Sequence, residues 1–286
     1  MKQILCITAY KEFSYLKKFC EFASEIGFVI YIHIDLKKST KQILYELNVL
    51  KNVTAFSKYK IPWGGITHVY AVLEMIHMAL NEYDDISYLH VITGQDICTK
   101  RINEFDLFFN LSNKHNYMSC SVGKNNSFRY QTFYRNDILN YKSKIGNFIT
   151  KALHVIQKVI GINRKEPFGW NIYKGMLYVS ITADFAKYVT EFVSSSDGRI
   201  FMKWLRWCFI PEEFFFQTIL MNSAFKDTLI NNNYRFALWE YKNGSQPGVL
   251  DETDYQKIKQ TDAFFARKMS EANSKGLVDN ILSDII

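Results

Sequence analysis

The sequence predicts a single α/β domain, and three observations carry that prediction. In the first hundred residues, short apolar runs alternate with amphipathic stretches at helical spacing, the pattern of βαβ units. The apolar runs end in polar residues, as strands do when they point at the ligand side of an open parallel sheet. No Pro-, Gly-, Ser- or acid-rich tract divides the 286 residues, 48% of which are hydrophobic, enough for one large core.

Each element follows in order. Gln3 to Thr8 reads as a buried strand; Phe13 to Ile26 reads as a helix with Leu16, Phe19, Phe22, Ala23 and Ile26 on its apolar face and Gly27 as its stop. Phe28 to Ile34 completes a βαβ unit and ends at Asp35, which either accepts hydrogen bonds from a nucleotide's hydroxyls or base or simply makes a turn. The first strand lacks a Gly-x-Gly-x-x-Gly successor and the chain has no Gly-x-x-x-x-Gly-Lys-Ser/Thr loop, which argues against dinucleotide and P-loop sites. Strand-like Val53 to Ser57 leads through Pro62-Trp63-Gly64-Gly65 to a helix from Thr67 to Glu82. Trp63 beside two glycines suits stacking on a base or sugar, or covering a sheet edge. Tyr88 to Thr93 is a further strand, and Gly94-Gln95-Asp96 at its end puts Asp96 on the ligand side, as a candidate for acceptor contact.

The net charge of +7 is unevenly spread. From Ile138 to Lys165 there is no acid, while Lys142, Lys144, Lys151, Lys158, Arg164 and Lys165 are basic. Within this insertion, at about 138–165, Phe148, Ile149, Ala152, Leu153, Val155, Ile156, Val159 and Ile160 recur at helical spacing. The stripe looks no wider than packing requires, which favours a helix covering the core over one docked on an anionic membrane. The basic residues lack the aromatic interleaving of a nucleic-acid site, so no nucleic-acid partner is expected. Five cysteines without Cys-x-x-Cys spacing predict buried thiols, and His33, His68, His77 and His90 lack metal-ligand spacing, so no metal is expected.

Glu212 and Glu213 stand in Phe209-Ile210-Pro211-Glu212-Glu213-Phe214-Phe215-Phe216. Acids in apolar surroundings resist ionisation, which suits general acid or base work. The competing reading is the first turn of a helix opened by Pro211, where the dipole favours negative charge.

Five segments, in order, resemble the core-2/I-branching β-1,6-N-acetylglucosaminyltransferase family, to which xylosyltransferases also belong. They are Tyr31-Ile32-His33-Ile34-Asp35-Leu36-Lys37-Lys38, Trp63-Gly64-Gly65-Ile66-Thr67-His68-Val69, Thr93-Gly94-Gln95-Asp96, Pro211 to Thr218, and Phe264-Phe265-Ala266-Arg267-Lys268. The similarity runs from about Ile4 to Met269, with Gly123 to Tyr173 poorly matched.

This resemblance implies a GT-A-type nucleotide-diphospho-sugar transferase domain with a mixed central sheet flanked by helices. It also implies inverting transfer from a UDP-sugar, GlcNAc favoured, to a saccharide hydroxyl without a divalent metal. The chain contains no Asp-x-Asp. Where no metal neutralises the departing diphosphate, fixed cations must. The family's diphosphate-binding Lys falls on Lys268, and Arg267 is added because a guanidinium fork suits phosphate oxygens. The family's Pro-Asp-Glu base falls on Glu213; Glu212 replaces the Asp and is placed on the acceptor side. The donor pocket is expected at Ala9, Tyr10, Lys11, Asp35, Lys37 and Trp63, with Tyr10 standing where a His is common. Arg235-Phe236-Ala237-Leu238-Trp239-Glu240-Tyr241 resembles the family's Arg-Phe-x-x-Trp-x-Tyr, so Arg235, Trp239 and Tyr241 are expected around the acceptor, or else form a half-buried strand. Lys174-Gly175 matches the family's Gly-Ser position, with Met176 departing from it. A second phosphate-contacting Arg has no counterpart near Ser245, which leaves that task to Arg235 or Arg267.

A start too short for a signal peptide and the lack of any apolar run of about 18 residues predict a cytoplasmic enzyme. In that setting the acceptor would be a surface polysaccharide, lipid-linked at the inner membrane face, with the basic helix in peripheral contact with anionic lipid. The competing classes are a non-catalytic nucleotide-sugar or carbohydrate binding protein and a basic membrane-surface adaptor.

Overall fold

β1 (Lys2–Ala9) carries Ile4, Leu5, Cys6 and Ile7 with no exposure on either face, as a parallel strand covered on both sides must. In the computed structural model, which describes residues 1–111 and 114–285, it is followed by α1 (Phe13–Glu25), β2 (Val29–Ile34), α2 (Lys41–Asn48), β3 (Val53–Phe56), α3 (Thr67–Glu82) and β4 (Ile86–Thr93). β1 pairs in parallel with β2 and with β4, and β2 with β3, so four strands share one direction and their carboxyl ends line one edge. Alternation along β1 decides which residue meets which helix. Leu5 and Ile7 lie in the core with Leu16, Phe19 and Ala23 of α1, while Ile4 and Cys6 lie in the other core with Val69, Val72 and Met75 of α3. Gly27, at φ +116°, supplies the left-handed turn between α1 and β2.

Beyond β4 come β5 (Asp96–Cys98), α4 (Ile102–Asn110), β6 (Asn116–Tyr117), β7 (Ser121–Val122), α5 (Phe128–Gln131), α6 (Lys144–Val159), β8 (Tyr173–Lys174) and β9 (Ser180–Thr182). The chain continues through α7 (Ala183–Ser194), α8 (Ser196–Leu205), α9 (Phe215–Met221), β10 (Leu229–Ile230), β11 (Arg235–Ala237), α10 (Tyr255–Lys259), β12 (Phe265–Arg267) and α11 (Lys275–Asp284). The main sheet runs β10-β6-β9-β4-β1-β2-β3, and β9 lies antiparallel to both β4 and β6. A second sheet, β11-β12-β5, hangs from the end of β4, and β7 pairs with β8. This is the mixed central sheet flanked by helices that a GT-A-type domain requires. The two sheets are tied by the Arg235 guanidinium, which donates to Ser180 Oγ at 2.9 Å and the Val179 carbonyl at 2.8 Å and lies over the Phe265 ring.

The basic insertion differs from expectation. α6 turns Gly146 and Thr150 inward. On the same side His154 Nδ1 sits 3.2 Å from Thr132 Oγ1 and 3.0 Å from the Tyr134 hydroxyl, and the Gln157 amide bonds both the N–H and the carbonyl of Phe133. The apolar stripe faces solvent: Ile145 and Phe148 are each 74% exposed and Val159 is 81% exposed. The inward side has short and polar residues because it meets backbone; a Cβ at Gly146 would collide with the Asn140 carbonyl oxygen. Arg164, by contrast, folds inward to the carbonyls of Tyr130, Thr132 and Trp204. Among the described residues no helix is long and apolar enough to cross a membrane. The five cysteines are free thiols; Cys120 is half-buried and the other four are buried.

Candidate active site

The loops at the carboxyl ends of β1, β2 and β3 are fixed by backbone contacts. Ala9 packs so closely on Gly94 that a Cβ there would stand 2.7 Å from its own. Asp35 Oδ1 accepts from the N–H groups of Lys37, at 3.0 Å, and Ile61, at 3.3 Å, tying the segment after β3 to the end of β2. Asp35 therefore has a turn role, with Lys37 exposed beside it. The Trp63 loop is held from the residues just before the insertion: Asn136 donates to the Gly64 carbonyl at 3.0 Å, and Asp137 accepts from the Ile66 N–H at 3.0 Å. Gly64 has φ +70°, which its neighbours would deny to most side chains. Trp63 is 40% exposed, stacks on Tyr141 at 5.3 Å and meets the edge of Phe209. Its face also carries the Lys142 ammonium at 5.7 Å.

The acid pair lies opposite. Ile210 adopts φ 56°, ψ 65°, a left-handed conformation that a β-branched residue rarely takes, and Pro211–Glu213 then makes one 3₁₀ turn before α9. Arg129 holds this strained segment, donating to the carbonyls of Phe209 and Ile210 and to Glu213 Oε2 at 2.8 Å. Lys174 Nζ reaches the same oxygen at 3.5 Å. The Gly175 N–H donates to the Glu213 carbonyl at 2.8 Å, and a Cβ on Gly175 would collide with Ser119. Glu212 Oε1 lies 3.7 Å from His68 Nδ1, whose Nε2 meets Thr8 Oγ1 of β1 at 3.0 Å. Glu212 Oε2 is buried with no hydrogen-bond partner among the described residues. The apolar pocket expected around these acids is absent: Phe214, Phe215 and Phe216 point into the core and Glu213 faces two cations.

The cations converge from separate elements. Lys268 follows β12 and donates to Ser245 Oγ at 3.1 Å. Partial burial pulls its pKa down, and the like charges of Arg267, Lys11 and Lys142 add to that. Arg267 is buried, 3.1 Å from Asp96 Oδ1, with its guanidinium over the Tyr178 ring at 3.9 Å. Burial pushes the Tyr178 phenol up, Arg267 opposes, and Asp96 and Glu212 add to the rise, so Tyr178 lies within reach of both Arg267 and Glu212. Lys11 lies 3.5 Å from Glu12 and near the exposed Tyr10 ring.

Of the expected acceptor contacts, Asp96 and Arg235 are interior, while Trp239 and Tyr241 are exposed. Asp96 is wholly buried, accepting from the N–H and hydroxyl of Thr93 and facing Arg267. Arg235 is the tie between the sheets, and burial pulls its pKa down to about 9, so it stays charged at neutral pH. Trp239 and Tyr241 are exposed at 57% and 74% on the loop after β11, in the segment that leads to Ser245. Arg129, Lys174, His68, Tyr178 and Lys142 join the site without having been singled out for it. Sequence signals were present for Lys174, beside Gly175, and for His68, within the Trp63–Val69 segment. Two surface cavities, of about 360 and 440 Å³, lie elsewhere, against Lys100 and Tyr255 and against Tyr70 and Met202. No group of three or more His, Cys, Asp or Glu among the described residues is arranged to hold a metal ion.

The family model for Core-2/I-Branching enzyme matches residues 4–263. A xylosyltransferase of Ciona intestinalis is 22% identical over 275 residues, covering 88% of this chain and 30% of its own. Human xylosyltransferase 1 is 28% identical over 135 residues, 42% of this chain and 14% of its own. The chain thus spans under a third of the length of these relatives. Among solved structures, the apo form of mouse xyloside xylosyltransferase 1 aligns over 78% of this chain and 82% of that one, at 13% identity and a TM-score of 0.36, too loose to carry detail. The match over residues 4–263 places this chain in the Core-2/I-Branching enzyme family.

Proposed function

We propose that the chain is an inverting glycosyltransferase that moves a sugar, GlcNAc favoured, from a UDP-sugar to a hydroxyl of a saccharide without a divalent metal. The observation that carries this reading is a cluster of like charges, Lys268 with Arg267, Lys11 and Lys142, with Arg267 lying over Tyr178, a ring that also feels the carboxylate of Glu212. Lys268 amid like charges is electrostatically costly until an anion joins it, and a diphosphate is such an anion. In the reaction Glu213 takes the proton of the acceptor hydroxyl and that oxygen attacks the anomeric carbon. The bond from that carbon to the diphosphate oxygen breaks, and the electron pair leaves with UDP, whose charge the cations offset. Arg129 and Lys174 orient Glu213, and Trp63 offers a ring for base or sugar. The setting that fits is bacterial surface polysaccharide synthesis on a lipid-linked acceptor.

The Arg129–Glu213 pair at 2.8 Å supports a second reading, a nucleotide-sugar binder whose acid only braces the strained turn. Turnover of UDP-sugars in excess EDTA, measured as released UDP, separates the two. We expect Glu213→Gln to lose roughly 10²- to 10⁴-fold in transfer. UDP should still raise its melting temperature, which also shows that the variant folds. Binding of UDP-sugar by the wild type without turnover would support the binder; activity lost in EDTA and restored by manganese would overturn the metal-free mechanism.

A further inference from the structure

We infer that the outward face of α6 is a membrane-docking surface that lies in the plane of a bilayer carrying anionic lipid. The inference stands apart from the transfer chemistry. At 100° per residue, the apolar positions Ile145, Phe148, Ile149, Ala152, Leu153, Val155, Ile156, Val159 and Ile160 sweep roughly 160° of the helix surface. Six of those side chains, Ile145, Phe148, Val155, Ile156, Val159 and Ile160, are more than half exposed. The helix cannot turn that face inward. Its opposite side is committed to the domain through Gly146, Thr150, His154 and Gln157.

Charge identifies the occupant. Lys144, Lys151 and Lys158 recur every seven residues and form a row along one border of the apolar face, and no acid occurs from Ile138 to Lys165 to neutralise them. A second copy packed face to face would bring its own lysines and no acids from this segment. An anionic bilayer satisfies both features, with acyl chains against Phe148 and Val159 and headgroup phosphates against the lysines. At 16 residues α6 is about 24 Å long, short of the hydrocarbon thickness, so it lies along the surface. Tyr141 and Lys142, which touch Trp63, precede α6 by only a few residues, so the docked face adjoins the candidate site.

The test is flotation of the whole chain on density gradients with phosphatidylcholine vesicles, with or without phosphatidylglycerol. We expect co-flotation with the anionic vesicles only, declining as salt rises. The double variant Phe148→Glu, Val159→Glu should lose at least tenfold in bound fraction at an unchanged melting temperature. Each of Lys144→Gln, Lys151→Gln and Lys158→Gln should weaken partitioning about fivefold. Failure of the wild type to float at low salt, or flotation of the double variant at the wild-type level, overturns the inference. So does a concentration-dependent dimer that the double variant dissolves in the absence of lipid binding, which would give the face to a second copy.

Discussion

α1 and α6 both space apolar residues three and four apart, over 13 and 16 residues, yet α1 turns Leu16, Phe19, Cys20 and Ala23 into the core while α6 turns in Gly146 and Thr150 and leaves Phe148 and Val159 in solvent. The difference lies in what the other side of each helix offers. The outer side of α1 carries Lys17, Lys18, Glu21 and Glu25, charges that belong in water, and Lys17 and Lys18 pair with Glu46 and Asp279. The inward side of α6 is uncharged, and polar residues of that kind can be buried against the domain where they find partners, as His154 does at Tyr134 and Gln157 at the Phe133 backbone. Apolar periodicity gives the width of a stripe. The chemistry of the opposite side decides which face the protein keeps for itself.

The largest test of this contrast substitutes one phenylalanine in each helix. Phe19→Ala should cost about 3–5 kcal/mol in urea unfolding, because a fully enclosed ring leaves a cavity. Phe148→Ala should stay within about 0.5 kcal/mol, as an exposed substitution does. Equal costs would mean that α6 packs as α1 does, and the contrast would collapse.

A smaller effect is expected at the inward side of α6. Gly146→Val puts a branched side chain against the Asn140 carbonyl and should destabilise by about 1–3 kcal/mol, with faster proteolysis around residues 140–143. A neutral Gly146→Val would show that the helix is not held by that contact.

How far the sequence reached follows the same physics. The four parallel strands were legible because three are mainly apolar runs bounded by turns and β3 alternates as a half-buried strand does, and the helix from Thr67 to Glu82 came out with its observed limits. The three-residue strands β5, β9 and β12 were not, since three residues cannot display a period. In the site, Glu213 and Lys268 were legible through ordered motifs; Glu213 meets Arg129 and Lys174, while Lys268 sits among Arg267, Lys11 and Lys142. Arg129 was not, because it comes from 84 residues away with no local pattern around it. Asp96 and Arg235 sat in suggestive motifs but proved to be interior ties: a charged residue at a strand end reads alike whether it faces a ligand or a buried partner.

The smallest effect concerns protons, and it separates the sheet from α6. His33, in β2, accepts the N–H groups of Lys58 and Tyr59 at Nε2, and burial holds its pKa down to about 4. His90, in β4, is likewise held well below its usual value by burial. A histidine whose folded pKa lies below its unfolded value near 6.5 lets the unfolded chain bind the proton first. Stability is therefore complete above about pH 6.5 and falls as pH drops towards 4, where His33 itself titrates. His154 in α6 shifts in the same direction, through its own partial burial and then Lys158, but with α6 fixed at the surface its share of the acid loss should be the least. Urea midpoints between pH 7 and 4 should show a flatter acid slope for His33→Gln, which keeps an acceptor near the same N–H groups without a titrating ring. They should show a nearly unchanged slope for His154→Asn. If His154→Asn flattened the slope as much as His33→Gln, proton uptake at α6 would be coupled to global unfolding as tightly as in the sheet, and α6 would have to be counted part of the core that its exposed apolar face says it is not.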